Sequence, residues 1–355
     1  MSGGAPIAGP TVSVIMAAYK GAGLVTETLD SLAAQSFGDF ELVVVDDASP
    51  DDTLAVLRAF GDPRVTIIET PANAGPVRAR NRAFAAARGR YIAALDQDDL
   101  CRPERFARQV RWLDAHPDTV LVGTANAFLE DGIVRPGRAP HVTSPGLIDW
   151  MMHLVNPLAW SSVMFRAEAA RRLDPFTRPE LLYAEDFDLY HRLRPFGQIA
   201  RIDEELTVYR CHAGGVSTRF SDAMTRSAER VVARAHRAIF GDGAKESAAL
   251  VTRHVAARQP VPDRATLARL TSVMARLAGH FAAADPEAGP LIARETSRLW
   301  WDAARAGVRS GAIGLGGAIA ARRGAARLGD ARPADLLLSG LIGGGRALSR
   351  RARPR

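Results

Sequence analysis

The chain has 355 residues, 47% of them hydrophobic, enough for one large core or two ordinary ones, so a soluble globular enzyme is the first expectation. Two cysteines, Cys101 and Cys211, are too few for a disulfide framework and too far apart for a zinc or redox pair, which fits a reducing cytosol. The net charge of +7 is uneven: Arg305–Arg355 holds eleven arginines, no lysine and two aspartates, leaving a balance of +9 there and −2 over residues 1–304. That asymmetry argues against a nucleic-acid-binding catalytic domain. It makes an anionic membrane surface a candidate partner for the tail, beside the plainer reading of a solvated basic end.

Met1–Pro10 is rich in Gly, Ala and Pro, with no basic residue and no apolar run, and is expected to be a disordered lead rather than a secretory signal. Apolar runs follow at Val12–Ala18, Leu42–Val45, Val65–Ile68 and Tyr91–Leu95, with the length and β-branched content of buried strands. Between them Val25, Leu29, Leu32 and Ala33 share a helical face, and residues 77–87 form an alanine-rich helix. Strand then helix, repeated, predicts a parallel doubly wound sheet. A helix is expected from Pro103 to Ala115, stopped by His116-Pro117, then a strand at Val120–Gly123, a hairpin at Asp131-Gly132, a strand at Ser162–Phe165 and a helix at Glu185–Leu193. Beyond Phe220 helical periodicity takes over: Leu267, Leu270, Met274, Leu277 and Phe281 form a stripe opened by Asp263 as cap. Gly311–Ala321 is too short to cross a bilayer, and Gly343–Gly345 with the arginines after it is expected to fray. The expected organisation is a lead at 1–10, a catalytic domain at 11–220, a helical region at 221–335 and a basic tail at 336–355.

Acidic residues gather where such a sheet takes its ligand. Asp46 and Asp47 follow the second strand, Asp96, Asp98 and Asp99 follow the fourth, and Tyr19 ends the first. Asp96-Gln97-Asp98-Asp99 offers hard oxygen ligands suited to Mg²⁺ or Mn²⁺ that shares its shell with phosphates and neutralises a leaving diphosphate. Asp47 could accept from a base or a ribose hydroxyl, and Tyr19 could stack on the base; Asp46 and Ser49 could equally shape the turn. Glu185-Asp186 opens an apolar helical pattern, and a helix N-terminus favours an ionised carboxylate, as a base that takes an acceptor hydroxyl's proton requires; acidic capping is the structural alternative. Trp160 is a candidate for an acceptor pocket, with burial as the competing reading. Gly21-Ala22-Gly23 lacks the third glycine of a dinucleotide fingerprint, which sets aside a Rossmann dehydrogenase.

These pieces stand in one order. They are Val12-Ser-Val-Ile-Met-Ala-Ala-Tyr19, Gln35-Ser-Phe-Gly-Asp-Phe-Glu-Leu-Val-Val-Val-Asp-Asp-Ala-Ser49, Asn73-Ala-Gly75 with Ala79-Arg-Asn81, Gly89-Arg-Tyr-Ile-Ala-Ala-Leu-Asp-Gln-Asp-Asp99, Glu185-Asp186 and Tyr209-Arg210-Cys-His212. Together they resemble the inverting glycosyltransferase family 2, over about Thr11 to Thr218. The resemblance implies a GT-A type doubly wound mixed α/β sheet, with a nucleotide-binding half and an acceptor half, followed by the helical C-terminal region.

It also implies a metal-dependent hexosyltransferase in bacterial surface polysaccharide or glycoconjugate synthesis. Such an enzyme would use Mn²⁺ or Mg²⁺, with UDP- or dTDP-sugars ahead of GDP-sugars and a glycan or lipid-linked acceptor. Ala18, Tyr19, Asp47, Asn73, Arg80, Asp96 and Gln97 would lie on the nucleotide-sugar side. Asp98 would bind metal, Asp186 with Glu185 would supply the base, and His212 would reach the metal or diphosphate unless it is a surface-loop histidine. The family's usual proline two before the tyrosine and asparagine after it are here Ala17 and Lys20. The expected setting is the cytoplasm, with the basic tail as a peripheral contact on the inner membrane face. Two other readings stand beside this one. A sugar nucleotidyltransferase would want a glycine-rich basic loop after the first strand, where Ala17–Gly23 offers only Lys20. A degenerate relative would bind nucleotide sugar or act as a scaffold without turnover.

Overall fold

A computed structural model of the chain describes residues 9–137, 140–212, 220–322, 325–326 and 333–351. The chain divides into two compact units, residues 1–142 with 158–219, and residues 143–157 with 220–355.

The first unit is built on one mixed sheet. Its first half runs β1 (Val12–Ala18), α1 (Val25–Ala33), β2 (Phe40–Asp46), α2 (Thr53–Ala59), β3 (Val65–Glu69), α3 (Pro76–Ala86) and β4 (Tyr91–Ala94). All pairings among these strands are parallel, with Ala18 beside Asp46 and Ile15 beside Ala94. β2 and β4 are buried along their whole length and β1 nearly so, which is why they read as unbroken apolar runs rather than alternating ones.

The second half runs β5 (Leu100–Cys101), α4 (Arg105–Ala115), β6 (Thr119–Glu130) and β7 (Ile133–Arg135), and, after a helix that belongs to the other unit, α5 (Pro145–Met151), continues with β8 (Met164–Arg166), α6 (Ala167–Arg171), α7 (Glu185–Leu193) and β9 (Gln198–Cys211). The strand order is β3-β2-β1-β4-β8-β6-β9-β5, with β7 on β6 and antiparallel pairs at β4–β8, β6–β8, β5–β9 and β6–β7. Asp131 (φ 50°) and Gly132 (φ 77°) form the expected tight hairpin, both in the left-handed region that a two-residue turn between strands requires.

Several boundaries differ from the sequence reading. The strand expected at Val120–Gly123 is one third of the twelve-residue β6, because its outer part is half-exposed and carries Asn126 and Glu130. The strand expected at Ser162–Phe165 starts later, after a 3-10 turn at Trp160–Ser162. β9 went unanticipated: its Asp203-Glu204-Glu205 run sits at a register shift against β6, and the irregularity there breaks the alternation that marks a strand.

The second unit is helical among its described residues: α5, α8 (Ser221–Phe240), α9 (Ala244–Val251), α10 (Arg264–Ala284), α11 (Gly289–Ser310), α12 (Leu315–Ala321) and α13 (Pro333–Arg351). Asp263 caps α10, accepting the Thr266 N–H at 2.7 Å, and Leu267, Leu270, Met274 and Leu277 are buried along the predicted stripe. α13 runs through Gly343–Gly345, where fraying was expected, to Arg351; Arg353 and Arg355 lie outside the described residues.

His236 of α8 is fully buried, with Nδ1 2.8 Å from Ser247 Oγ and Nε2 2.9 Å from the His153 carbonyl oxygen. Burial pushes its pKa down to about 4, against a single raising influence from the hydrogen bond to His153. The folded ring thus binds its proton less readily than the unfolded one, so its contribution to stability is complete above an unfolded value of about 6.5 and is lost as pH falls towards 4. Between pH 7.5 and pH 5 this site should lower stability by about 2 kcal/mol, and His236→Gln should flatten that part of the profile in urea unfolding. Equal slopes in both proteins would contradict the assignment.

Candidate functional site

The strand order reverses at β1, so the crevice beyond the carboxyl ends of β1 and β4 is the switch point where open α/β sheets take ligands. Two segments are clipped together there. The Tyr19 N–H donates to Gln97 Oε1 at 3.0 Å, and Gln97 Nε2 donates to the Tyr19 carbonyl at 2.9 Å. The Tyr19 ring is 39% exposed, with Lys20 Nζ 5.3 Å from its centroid. Lys20 has φ 52°, a conformation in which Asn is better tolerated than Lys, which gives the asparagine usual in the resembling family a backbone reason.

Ala18 is buried, and its carbonyl accepts the Asp47 N–H at 2.8 Å. The buried Asp47 carboxylate in turn organises the loop before α3. It accepts the Ala74 N–H at 3.0 and 3.1 Å, the Gly75 N–H at 2.7 Å and the Thr70 hydroxyl at 3.2 Å, while Asn73 Nδ2 donates to the Asp47 carbonyl at 3.1 Å. Gly75 has φ 89°, so the loop turns there at a glycine. Asp46 Oδ2 accepts the Ser49 N–H at 3.2 Å, which is the turn-shaping role left open for it in the sequence.

The acidic turn after β4 is held from several sides. The Asp96 N–H donates to Ser161 Oγ (3.0 Å), the Arg210 N–H to Asp99 Oδ1 (2.9 Å) and Arg210 Nε to the Asp98 carbonyl (2.9 Å), while Arg210 Nη2 pairs with Glu27 at 2.8 Å. Burial raises the Asp98 carboxyl above its ordinary range, the charge of Asp96 adds to this, and the His212 hydrogen bond opposes it. Asp99 is pushed well above its range by burial and then by Asp98 and Asp96.

Asp98 Oδ2 and His212 Nε2 lie 2.9 Å apart, both partly exposed. Neighbouring ligands of an octahedral Mg²⁺ or Mn²⁺ shell are about 3 Å apart, so one carboxylate and one imidazole at this spacing, in an acidic cluster strained by its own charge, fit a divalent cation. No group of three His, Cys, Asp or Glu side chains that could hold a metal occurs among the described residues, so phosphate and water would complete the shell.

Arg80 of α3 joins this turn to α7. Its Nη2 pairs with Asp96 Oδ1 at 2.6 Å and its Nη1 with Glu185 Oε1 at 2.5 Å, and its guanidinium carbon stands 4.9 Å from the Trp160 ring centroid. Burial alone would lower the Arg80 pKa, but the charges of Asp96, Glu185 and Asp186 outweigh it, and the guanidinium stays firmly charged. Glu185 is buried in that pair, and Trp160 is buried beneath it. Asp186, half-buried on the first turn of α7, accepts the Phe187 N–H at 2.7 Å through Oδ1. One turn on, Tyr190 is fully buried, its hydroxyl without a hydrogen-bond partner among the described residues, and its pKa stands well above the usual value through burial and then the Asp186 charge.

The structure thus brings Arg80, Asp96, Glu185 and Asp186 into one group, sets Asp98 against His212, and places Ala18, Tyr19 and Gln97 at the switch point beside the Asp47–Asn73 loop. The supporting roles of Thr70, Ser161, Arg210 and Tyr190 were not read from the sequence. Of these, Arg210 lay in the segment Tyr209–His212 and Tyr190 in the helix expected at Glu185–Leu193.

Residues 13–173 match the Glycosyl transferase family 2 profile. Over 166 residues the chain is 37% identical to the succinoglycan biosynthesis protein ExoO of Rhizobium meliloti, a match spanning 45% of this chain and 44% of ExoO, less than half of that relative's length. It is 29% identical, over 61% of its own length and 84% of the relative's, to the UDP-Glc:alpha-D-GlcNAc-diphosphoundecaprenol beta-1,3-glucosyltransferase WfaP of Escherichia coli. In structure it is similar to S. aureus TarS 1–349, solved in complex with UDP-GlcNAc, with a TM-score of 0.56, 19% identity, and coverage of 84% of this chain and 90% of that one. The mixed sheet, its switch-point motifs and these matches agree: residues 13–173 are a glycosyl transferase family 2 domain, and the sheet has the GT-A fold.

Proposed function

We propose that the chain is a hexosyltransferase that moves a sugar from a nucleotide donor to a hydroxyl of a glycan or lipid-linked acceptor, with inversion, in bacterial surface polysaccharide or glycoconjugate synthesis. The observation that carries this is Arg80, which ties the acidic turn after β4 to the Glu185-Asp186 turn of α7 and so sets a donor-side cluster beside a candidate base. The name of WfaP supports a UDP-sugar donor and a diphosphate-linked lipid acceptor; dTDP-sugars are the second choice.

In this reading Tyr19 and the loop held by Asp47 receive the nucleotide. Asp98 and His212 would hold Mn²⁺ or Mg²⁺, which when bound supplies positive charge against the leaving diphosphate. Asp186 accepts the proton of the acceptor hydroxyl as its oxygen attacks the anomeric carbon, and the sugar–phosphate bond breaks on the opposite face. Glu185, already paired with Arg80, positions that turn rather than taking the proton. With a lipid-linked acceptor, the basic C-terminal region would contact the inner membrane face from the cytoplasm.

Calorimetric titration of UDP, dTDP and GDP into the native chain and Asp98→Ala, with and without Mn²⁺, tests this. The native chain should bind UDP or dTDP more tightly with Mn²⁺, and Asp98→Ala should lose at least about 10-fold of that affinity. Binding that ignores both the metal and the substitution would overturn the assignment.

A further inference from the structure

Helix α13 meets α11 through its small residues. Ser339 and Gly343, one turn apart, are buried, and a Cβ on Gly343 would lie 1.9 Å from the Val308 carbonyl oxygen of α11. Arg309 Nε donates to Ser339 Oγ at 3.0 Å, and Arg305 pairs with Asp335 at 2.8 Å. The large aliphatic residues point the other way: Leu337, Leu338, Leu341 and Ile342 are 65%, 51%, 75% and 37% exposed. At about 100° per residue these four cover an arc of about 140° on one side of the helix. That is the reverse of a helix that faces a core, and four contiguous exposed aliphatics make the kind of patch that marks an interaction surface.

Charge identifies the partner. Arg305–Arg355 carries eleven arginines against two aspartates, and Arg346, within the helix, is exposed while its Nη1 donates to the Arg309 carbonyl at 3.0 Å. A second copy of the chain would bring the same positive charge to the same face. An anionic bilayer surface instead offers an acyl boundary for the leucines and phosphates for the arginines. No helix among the described residues is long and apolar enough to cross a membrane, so the contact would lie in the interface.

We propose that α13 is an interfacial anchor that inserts Leu337, Leu338, Leu341 and Ile342 into an anionic lipid surface, favoured by the net positive charge of Arg305–Arg355. Its purpose rests on the proposed lipid-linked acceptor, but its test reads lipid binding apart from donor chemistry.

The full chain is sedimented with vesicles of phosphatidylglycerol and phosphatidylcholine, and with phosphatidylcholine alone. It should partition at least about 10-fold more strongly onto the anionic vesicles, and raised salt should weaken that binding. The combined variant Leu337→Ser, Leu338→Ser, Leu341→Ser should lose at least about 100-fold in partitioning, with native UDP affinity and native circular dichroism. Three results would overturn the proposal: native protein left in the supernatant with anionic vesicles, a triple variant that sediments like the native chain, or a native dimer in sedimentation velocity that the triple variant converts to monomer without any vesicle binding. Loss of UDP binding in the native chain would instead strike the proposed enzymatic function and leave the anchor standing.

Discussion

Asp186→Asn is expected to lower kcat by about 1,000-fold while donor affinity stays within about twofold, the loss that removal of a general base produces. Asn keeps the shape of the side chain and an oxygen able to accept the Phe187 N–H that Asp186 Oδ1 accepts now, so the first turn of α7 and the Arg80–Glu185 pair beneath it should be undisturbed. What disappears is the capacity of a carboxylate to take a proton. Single-turnover kinetics beside a donor titration separates the two effects. A fall in donor affinity matching the fall in rate would show that residue 186 holds the donor rather than performing the proton transfer. The same substitution at Glu185 should act differently: Glu185→Gln weakens a buried ion pair, so its effect should appear in stability as well as rate.

Arg80→Met should cost about 3 to 5 kcal/mol of stability and abolish activity, because it leaves Asp96 and the buried Glu185 without the cation between them. Methionine fills much of the same volume and can still lie on the Trp160 ring, so the loss reports charge rather than a cavity. The check is urea unfolding of Arg80→Met, Glu185→Met and the double variant. Coupling predicts that the double variant is more stable than the sum of the single losses allows, since it removes both members of a buried pair. Strict additivity, or a loss below about 1 kcal/mol for Arg80→Met, would contradict the bridging role.

The legible parts of this protein were those in which one physical requirement acts locally. Strands buried on both faces must be apolar throughout, so Val12–Ala18 and Tyr91–Ala94 stood out at once. Asp131-Gly132 signalled its turn by backbone conformation, and Glu185–Leu193 its helix by charge and periodicity. Long-range features were less visible. β9 exists because β6 and β5 pair with it, and the acidic run at residues 203–205 hides that pairing in the linear chain. α5 joins the helical unit although the residues on either side of 143–157 belong to the sheet unit, an excursion that no local signal announces. At the site, the acids after β2 and β4 were legible because they follow strand ends, and Glu185-Asp186 because it opens a helical pattern. The geometry refined their parts: Asp47 is engaged first by the Ala74 and Gly75 amides, and Glu185 by Arg80. The meeting of Asp98 with His212 spans 114 positions and depends on β9, the strand the sequence hid.

Transfer by a single displacement at the switch point of the sheet would invert the configuration of the transferred sugar. NMR of the product that the native chain forms from an α-linked UDP- or dTDP-sugar, with Mn²⁺ and a lipid-linked acceptor, reads its anomeric configuration. A β-linked product and release of the nucleoside diphosphate are expected. An α-linked product would contradict the single-base assignment of Asp186, and transfer that proceeds equally well without any divalent cation would contradict the role given to Asp98 and His212.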